Sequence, residues 1–318
     1  MSKSYFNTND RPEIVLQSKY FRDDNPIADE IKKAGLSIIP IINTLDDNPD
    51  MQQIIGTAFL IKYQNQMYVV TARHNLLETE RVKSGDIEIR KDYILGFEGN
   101  DFNFYYYLTR EILTEKGFAW VISKDEAIDI ALAKVEISDE LLRFLDIAPF
   151  SFSTGPDYIL LKKDQPVYSF GYIHGWGQLA GRLIVLENGR VFSTTKYANL
   201  MSLHPHNLFG SILGFMSDEM DNIYVNLTSV KGVSGSPLFI QIDGKFHLIG
   251  INIKGKVIKL VDTLSPTKSI HDQYRYNGIG ISLSAHRILD LIYSESCIKQ
   301  KTTIISKDDL IINKRNLS

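Results

Sequence analysis

Gly232-Val233-Ser234-Gly235-Ser236-Pro237 sets a serine in a turn with glycine on both sides. A serine hydroxyl is a weak nucleophile at neutral pH. It needs a base within hydrogen-bond reach, and that base needs an orienting group. It also needs donors aimed at the oxyanion that forms when the hydroxyl adds to a carbonyl. Glycine lets the backbone turn sharply and approach a substrate. Ser234 is therefore the candidate nucleophile, and the backbone N–H groups of Gly232 and Ser234 are the candidate oxyanion donors. Glycine, serine and proline also dominate ordinary turns, so the hexapeptide alone points equally to a turn without chemistry. Its flanks narrow the choice. Pro237–Ile242 is a strand pattern, Asp243-Gly244 a two-residue hairpin signal, and Phe246–Ile251 a returning strand.

The base and its orienter must come from elsewhere in the chain. Gly56–Tyr63 reads as a strand, Gln64-Asn65-Gln66 as a polar turn, and Met67–Ala72 as the partner strand. His74 follows directly, where a histidine can point into a cleft and trade a proton near neutral pH. Asp129 stands at the mouth of the apolar strand Ile130–Val135, placed to pair with an imidazole and fix its tautomer. A structural histidine and a strand-boundary aspartate are the common fates of such residues taken singly. Asp125 competes with Asp129, but it lies in the polar run Ser123-Lys124-Asp125-Glu126, which reads as solvated loop.

Taken in chain order, these segments resemble the trypsin-like serine proteases of the chymotrypsin fold, in particular the disulfide-free bacterial branch that includes HtrA-type enzymes. The residues that carry the likeness are Gly56-Thr57-Ala58-Phe59, Thr71-Ala72-Arg73-His74, Asp129-Ile130-Ala131-Leu132, the serine hexapeptide, and Ile249-Gly250-Ile251-Asn252. Val167–Tyr172 is similar to the first strand of the family's second barrel, and Gly278–Leu283 to its closing strand. The resemblance implies an all-β fold of two six-stranded antiparallel barrels with a C-terminal helix. It implies a His74–Asp129–Ser234 triad and peptide hydrolysis through an acyl-enzyme. It also implies a substrate pocket that includes Thr228, Ile251 and Asn252. A neutral Thr228 at the pocket base favours small or apolar P1 side chains over Arg or Lys.

Departures from the family pattern carry their own expectations. Val233 stands where zymogen-activated relatives have the aspartate that pairs with a new N-terminus, so that activation switch is expected to be absent. Ser236 replaces a second glycine, and its hydroxymethyl group threatens to crowd the turn. Asn75 follows the histidine where many secreted relatives have cysteine. No PDZ domain is expected after residue 296. The resemblance also admits a reading of another class: a catalytically silent or partner-activated protease fold used for binding or sensing, including a phage-defence effector.

Composition bounds the rest. A chain of 318 residues with 44% apolar and 23% charged residues is long enough for one large or two modest globular cores. A net charge of −3 gives no electrostatic case for nucleic acid. No apolar run reaches the roughly 18 residues of a transmembrane helix, and no membrane partner is expected. Met1–Asp10 lacks the apolar core of a signal peptide, so a cytoplasmic location is expected. Cys297 is the only cysteine, which excludes an intramolecular disulfide. The expected partners are a protein or peptide substrate and an activating protein; no cofactor and no metal is expected.

Along the chain, residues 1–35 read as an N-terminal extension whose Asn25–Ala34 segment forms a short helix, with Pro26 early and Gly35 after it. Residues 36–148 are expected to form the first barrel, and 149–298 the second with its helix over Ser284–Tyr293. Residues 299–318 read as a tail, or as a strand that pairs with a partner. Two stretches read as insertions. In 93–115, the aromatic run Phe102, Phe104, Tyr105, Tyr106 and Tyr107 fits a packed strand pair better than a substrate wall. In 197–222, His204-Pro205-His206 lies in what reads as a polar loop, without a carboxylate or thiol at metal-ligand spacing.

Overall fold

The computed structural model describes residues 26–45, 48–77, 93–97, 104–123, 125, 127–152, 161–172, 186–187, 190–191, 206–216, 222–227, 232–259 and 274–314. Helix α1 (Pro26–Gly35) opens the described chain. Proline suits the first helical turn, where its missing N–H has no intrahelical acceptor, and glycine suits the end. The helix buries Ile31 and Ala34, and Glu30 accepts a hydrogen bond from the backbone N–H of Phe246 in the second lobe.

The first lobe contains β1 (Ile38–Leu45), β2 (Asn48–Tyr63), β3 (Gln66–Thr71), β4 (Tyr93–Phe97), β5 (Phe104–Thr109), β6 (Val121–Ile122), β7 (Ala131–Ile137) and β8 (Phe150–Ser151). Helices α2 (Arg110–Glu115) and α3 (Asp139–Phe144) interrupt the strands. Strands β2 and β3 form a hairpin with Gln64 and Asn65 both at positive φ, 47° and 66°. That geometry matches the right-handed twist of the strands. Stretch 93–115 is the strand pair β4–β5 running into α2, and Tyr106 packs edge-on to Phe144 at 4.8 Å. Phe102 lies outside the described residues.

The second lobe contains β9 (Pro166–Gly171), the small hairpin β10 (Leu186–Glu187) and β11 (Arg190–Val191), then β12 (His206–Met216), β13 (Asn222–Asn226), β14 (Pro237–Ile242), β15 (Lys245–Lys259) and β16 (Tyr274–Ser284). Six of them close a barrel in the order β12-β13-β16-β15-β14-β9. The β14–β15 turn is Asp243-Gly244, at φ 50° and 77°, as the sequence signals. Stretch 197–222 is not simply a polar loop. Its described part from His206 is β12, a barrel strand paired with β9 and β13. Gly210 lets β12 run close to its neighbour, since a Cβ there would lie 2.0 Å from the Asn226 carbonyl oxygen. The same glycine, with Gly214, hides the strand pattern in the sequence. His204 and Pro205 lie outside the described residues.

After the barrel come α4 (His286–Ile292) and α5 (Glu295–Ile298). The helix begins two residues later than the sequence suggests. Ser284 ends β16, and its hydroxyl accepts the N–H of His286. Residues 299–314 are not a free tail. They supply β17 (Thr303–Ile305), parallel to β7, and β18 (Ile311–Lys314), antiparallel to β5. The first lobe is thus a ten-stranded sheet whose two edges are covered from the far end of the chain, rather than a six-stranded unit. Each covering strand takes up backbone donors and acceptors of β7 or β5 and moves the open edge to a shorter strand. The architecture is that of the chymotrypsin fold: all-β, with two barrel-like lobes and C-terminal helices.

Side-chain alternation explains why the lobes hold together. On β2, Ala58 and Leu60 face the interior of the first lobe, whereas Phe59 and Ile61 face a second cluster. On β14, Leu238 and Ile240 fill the closed barrel, whereas Phe239 joins that same second cluster. The cluster lies between the lobes and takes in Ile288 and Ile292 of α4 and the buried Cys297 of α5. Phe239 is at its centre, with ring centroids 4.8 Å from Phe150, 5.9 Å from Phe170 and 5.6 Å from Phe246. Fully buried phenylalanines lose about 3–5 kcal/mol on truncation to alanine. Phe239→Ala should lower the urea-unfolding free energy by about that amount. A loss below about 1 kcal/mol would show that this cluster does not join the lobes.

Candidate active site

His74 lies in a single 3₁₀ turn, Arg73–Asn75, directly after β3. Asp129 precedes β7, the strand paired with β3, so the ladder that aligns Thr71 with Ala131 brings the two side chains together. The Asp129 carboxylate accepts from the His74 backbone N–H at 2.9 Å through one oxygen and meets His74 Nδ1 at 2.6 Å through the other. The backbones are tied as well, Arg73 N–H donating to the Asp129 carbonyl at 3.2 Å. This two-point hold sets the ring's tautomer, with the proton on Nδ1 and Nε2 left to face outward. Asp125 is exposed and accepts from the N–H of Ala127, a local turn contact.

Burial pushes the Asp129 carboxyl up, but the hydrogen bonds and charge of His74, with the charge of Arg73, outweigh it and hold the group below its ordinary value of 3.8. A carboxylate with a lower pKa folded than unfolded stabilises the folded state above its unfolded pKa. That contribution is lost as pH falls through the folded value.

The serine hexapeptide is a tight turn, with Ser236 N–H donating to the Val233 carbonyl at 3.0 Å and Gly235 at φ 88°. This pattern, with glycine at the third position and positive φ, is that of a type II turn. Gly235 has a second reason to be glycine: a Cβ would lie 2.1 Å from the Thr57 carbonyl oxygen and 2.6 Å from Thr71 Oγ1. The turn is therefore pressed against the middle of β2 and the end of β3. The N–H of Gly235 donates to the Asn252 carbonyl at 2.7 Å, whereas those of Gly232 and Ser234 meet no acceptor among the described residues. Two unclaimed N–H groups beside a half-buried serine are what an oxyanion site requires.

Ser234 Oγ does not bond to His74. It donates to the Ile253 carbonyl at 3.3 Å. The backbone of Ser234 nevertheless sits beside the histidine segment, because its carbonyl accepts from Asn75 Nδ2 at 2.8 Å and from Thr57 N–H at 2.9 Å.

Ser236 does not crowd the turn. It is fully buried in a polar network with Ser169 at 3.0 Å and Asn252 at 2.9 Å. Asn252 also donates to Ser169 at 2.8 Å and accepts from Ser282 at 2.5 Å. Room for the extra carbon comes from Gly171, where a Cβ would lie 3.0 Å from that of Ser236. Ile251 and Asn252, the residues expected to line the pocket, both have buried side chains. The Asn252 amide is taken up by the network, and Ile251 is fully buried between β14 and β16. Thr228 lies outside the described residues. Among the described residues no group of acidic, histidine or cysteine side chains is arranged to hold a metal ion, and no helix is long and apolar enough to cross a membrane.

Residues 56–251 match the trypsin-like peptidase domain family, and the chain belongs to it. Among solved structures, a thermostable serine protease, AL20, from an extremophilic microorganism is 11% identical over 83% of this chain and 98% of its own, with a TM-score of 0.46. The inactive form of the Rv3671c protease is 15% identical over 85% of this chain and 94% of its own, with a TM-score of 0.42. A serine endoprotease from Yersinia pestis is 13% identical over 83% of this chain and 64% of its own, with a TM-score of 0.42. No curated protein matches the chain.

Asp129→Asn should destabilise the protein at neutral pH, and its deficit against wild type should shrink as pH falls below about 4. Urea unfolding of both proteins across that range checks it; a deficit independent of pH would show that the ionised Asp129 carboxylate is not its source.

Proposed function

We propose that the chain is a serine endopeptidase that cleaves peptide bonds through an acyl-enzyme, with Ser234 as nucleophile, His74 as base and Asp129 as orienter. The observation that carries this reading is the Asp129 carboxylate gripping both the ring and the backbone N–H of His74, next to a serine turn with two N–H groups that meet no acceptor among the described residues. Ser234 Oγ turns from Ile253 toward His74, attacks the scissile carbonyl and passes its proton to His74 Nε2. The oxyanion is received by the N–H groups of Gly232 and Ser234. His74 then returns the proton to the leaving amine, and water repeats the sequence on the acyl-enzyme. The substrate is a protein or peptide, and the chemistry needs no cofactor.

One observation favours a second reading, a partner-activated or catalytically silent protease fold used for binding or sensing: the hydroxyl of Ser234 rests on the Ile253 carbonyl. That bond is long at 3.3 Å. A hydrogen bond worth about 1 kcal/mol would leave the His74-facing rotamer populated on the order of a tenth of the time. Catalytic hydrogen bonds often tighten only when substrate binds, so the resting rotamer is compatible with a working enzyme.

A fluorophosphonate probe should label the wild type and spare Ser234→Ala and His74→Ala, and hydrolysis should fall by about 10⁴-fold or more in each. Labelling that survives Ser234→Ala would remove Ser234 as nucleophile, and an unlabelled wild type would favour the silent fold. In a peptide library, cleavage after small or apolar P1 residues is expected from Thr228. A dominant Arg or Lys preference would refute that assignment.

A further inference from the structure

We infer that Thr57 and Asn75 are positioning residues that clamp the serine turn from the opposite lobe, giving it order that Val233 has no charge to supply. The inference rests on the reading of Ser234 as nucleophile.

Val233, in the middle of the turn, is 1% exposed and apolar, so no ion pair can fix the turn through its side chain. The turn is instead held by its carbonyls. Thr57 Oγ1 donates to the Gly232 carbonyl at 2.8 Å and accepts from Tyr172 N–H at 2.9 Å. The Ser234 carbonyl takes two bonds, from Thr57 N–H at 2.9 Å and Asn75 Nδ2 at 2.8 Å. The second hydrogen of Asn75 Nδ2 goes to Thr71 Oγ1 at 3.1 Å, and Thr71 Oγ1 donates to the Thr57 carbonyl at 2.7 Å. The bonds close a ring: Ser234 carbonyl, Asn75, Thr71, Thr57 and back to Ser234. Thr57, Thr71 and Asn75 are all buried, and their bonds to one another and to Gly232 are made away from water, where leaving a partner unpaired costs about 1–3 kcal/mol.

The geometry of a peptide unit makes this relevant to catalysis. A carbonyl and the next residue's N–H share one plane. Pinning the carbonyls of Gly232 and Ser234 fixes the peptide planes on both sides of the Val233–Ser234 unit, and that unit carries the Ser234 N–H proposed as oxyanion donor. Asn75 directly follows His74, so the same side chain also ties the histidine segment to the serine. The neighbouring glycines are shaped around the clamp. A Cβ on Gly56 would meet three Asn75 side-chain atoms at 2.3–2.6 Å, and one on Gly235 would meet the Thr57 carbonyl oxygen at 2.1 Å.

Three variants of the full chain separate positioning from bulk stability. Thr57→Val keeps the shape and loses the hydroxyl, Thr57→Ser keeps the hydroxyl, and Asn75→Asp replaces the donor facing the Ser234 carbonyl with an acceptor. Two readouts are needed: peptide hydrolysis resolved into kcat and KM, and amide exchange at Gly235 and Ser236 measured against exchange in β14. Thr57→Val and Asn75→Asp should lower kcat roughly 10–100-fold, less than or equal to the loss of one oxyanion donor, with KM changed less than about threefold. Exchange at Gly235 and Ser236 should accelerate at least about tenfold while β14 keeps its protection. Thr57→Ser should stay within about threefold of wild type in both readouts. Unchanged exchange at the turn in Thr57→Val and Asn75→Asp, or a loss expressed wholly in KM or equally across the lobe, would overturn the clamp. An inactive wild type, unlabelled by fluorophosphonate, whose turn still loosens in these variants would instead overturn the nucleophile reading and leave the clamp standing.

Discussion

The carbonyl oxygen of Ser234 is where the two lobes meet at the site. It accepts from Thr57 within the first lobe's long strand and from Asn75 beside the histidine. A site divided between two barrels works only if the barrels keep one relative position, because misplacement by about 1 Å can cost about 100-fold in rate. The apolar cluster around Phe239 supplies most of the cohesion, but hydrophobic contact is non-directional and does not fix an atom to within a few tenths of an ångström. Directional bonds onto a single carbonyl do. Cohesion and alignment thus come from different forces acting at the same junction.

Much of the site could be read from local sequence because its parts obey local rules. A serine between glycines, a histidine just past an apolar strand and an aspartate at the mouth of another are each short-range patterns. Pro26 and Gly35 marked the first helix, and Asp243-Gly244 its hairpin, for the same reason. What could not be read depends on residues far apart in the chain. The strand β12 was masked by Gly210 and Gly214, which lower strand propensity, and Gly210 is required by the close approach of Asn226. Strands β17 and β18 are short and polar-flanked, and only their partners β7 and β5 make them strands. Ser236 was misread because its partner Ser169 comes from another strand of the barrel. Thr57 and Asn75 were visible as residues beside the motifs, but no spacing rule says that their side chains reach Gly232 and Ser234.

The serine network beneath the Ser234 turn shows how a buried polar group is tolerated. Ser169, Ser236, Asn252 and Ser282 come from β9, the turn, β15 and β16, and each finds a partner within the set. Such a network is favourable only when complete, since the low local dielectric that strengthens each bond also raises the cost of a missing one. It therefore fixes the relative positions of the strands around the turn more sharply than apolar packing would. In the second lobe, as at the junction, alignment is carried by a few hydrogen-bonded side chains set in a larger apolar core.

The strands that cover the first lobe's edges have a consequence in time as well as in space. A polypeptide is made from its N-terminus, so the half-site of His74 and Asp129 leaves the ribosome long before Thr303 does. Until β17 and β18 arrive, β7 over Val135–Ile137 and β5 lack their outer neighbours. The serine turn is also made before those strands. The last segments of the described chain therefore complete the lobe that holds His74 and Asp129. The first lobe's sheet can therefore be completed only after all of the second lobe's strands have been made.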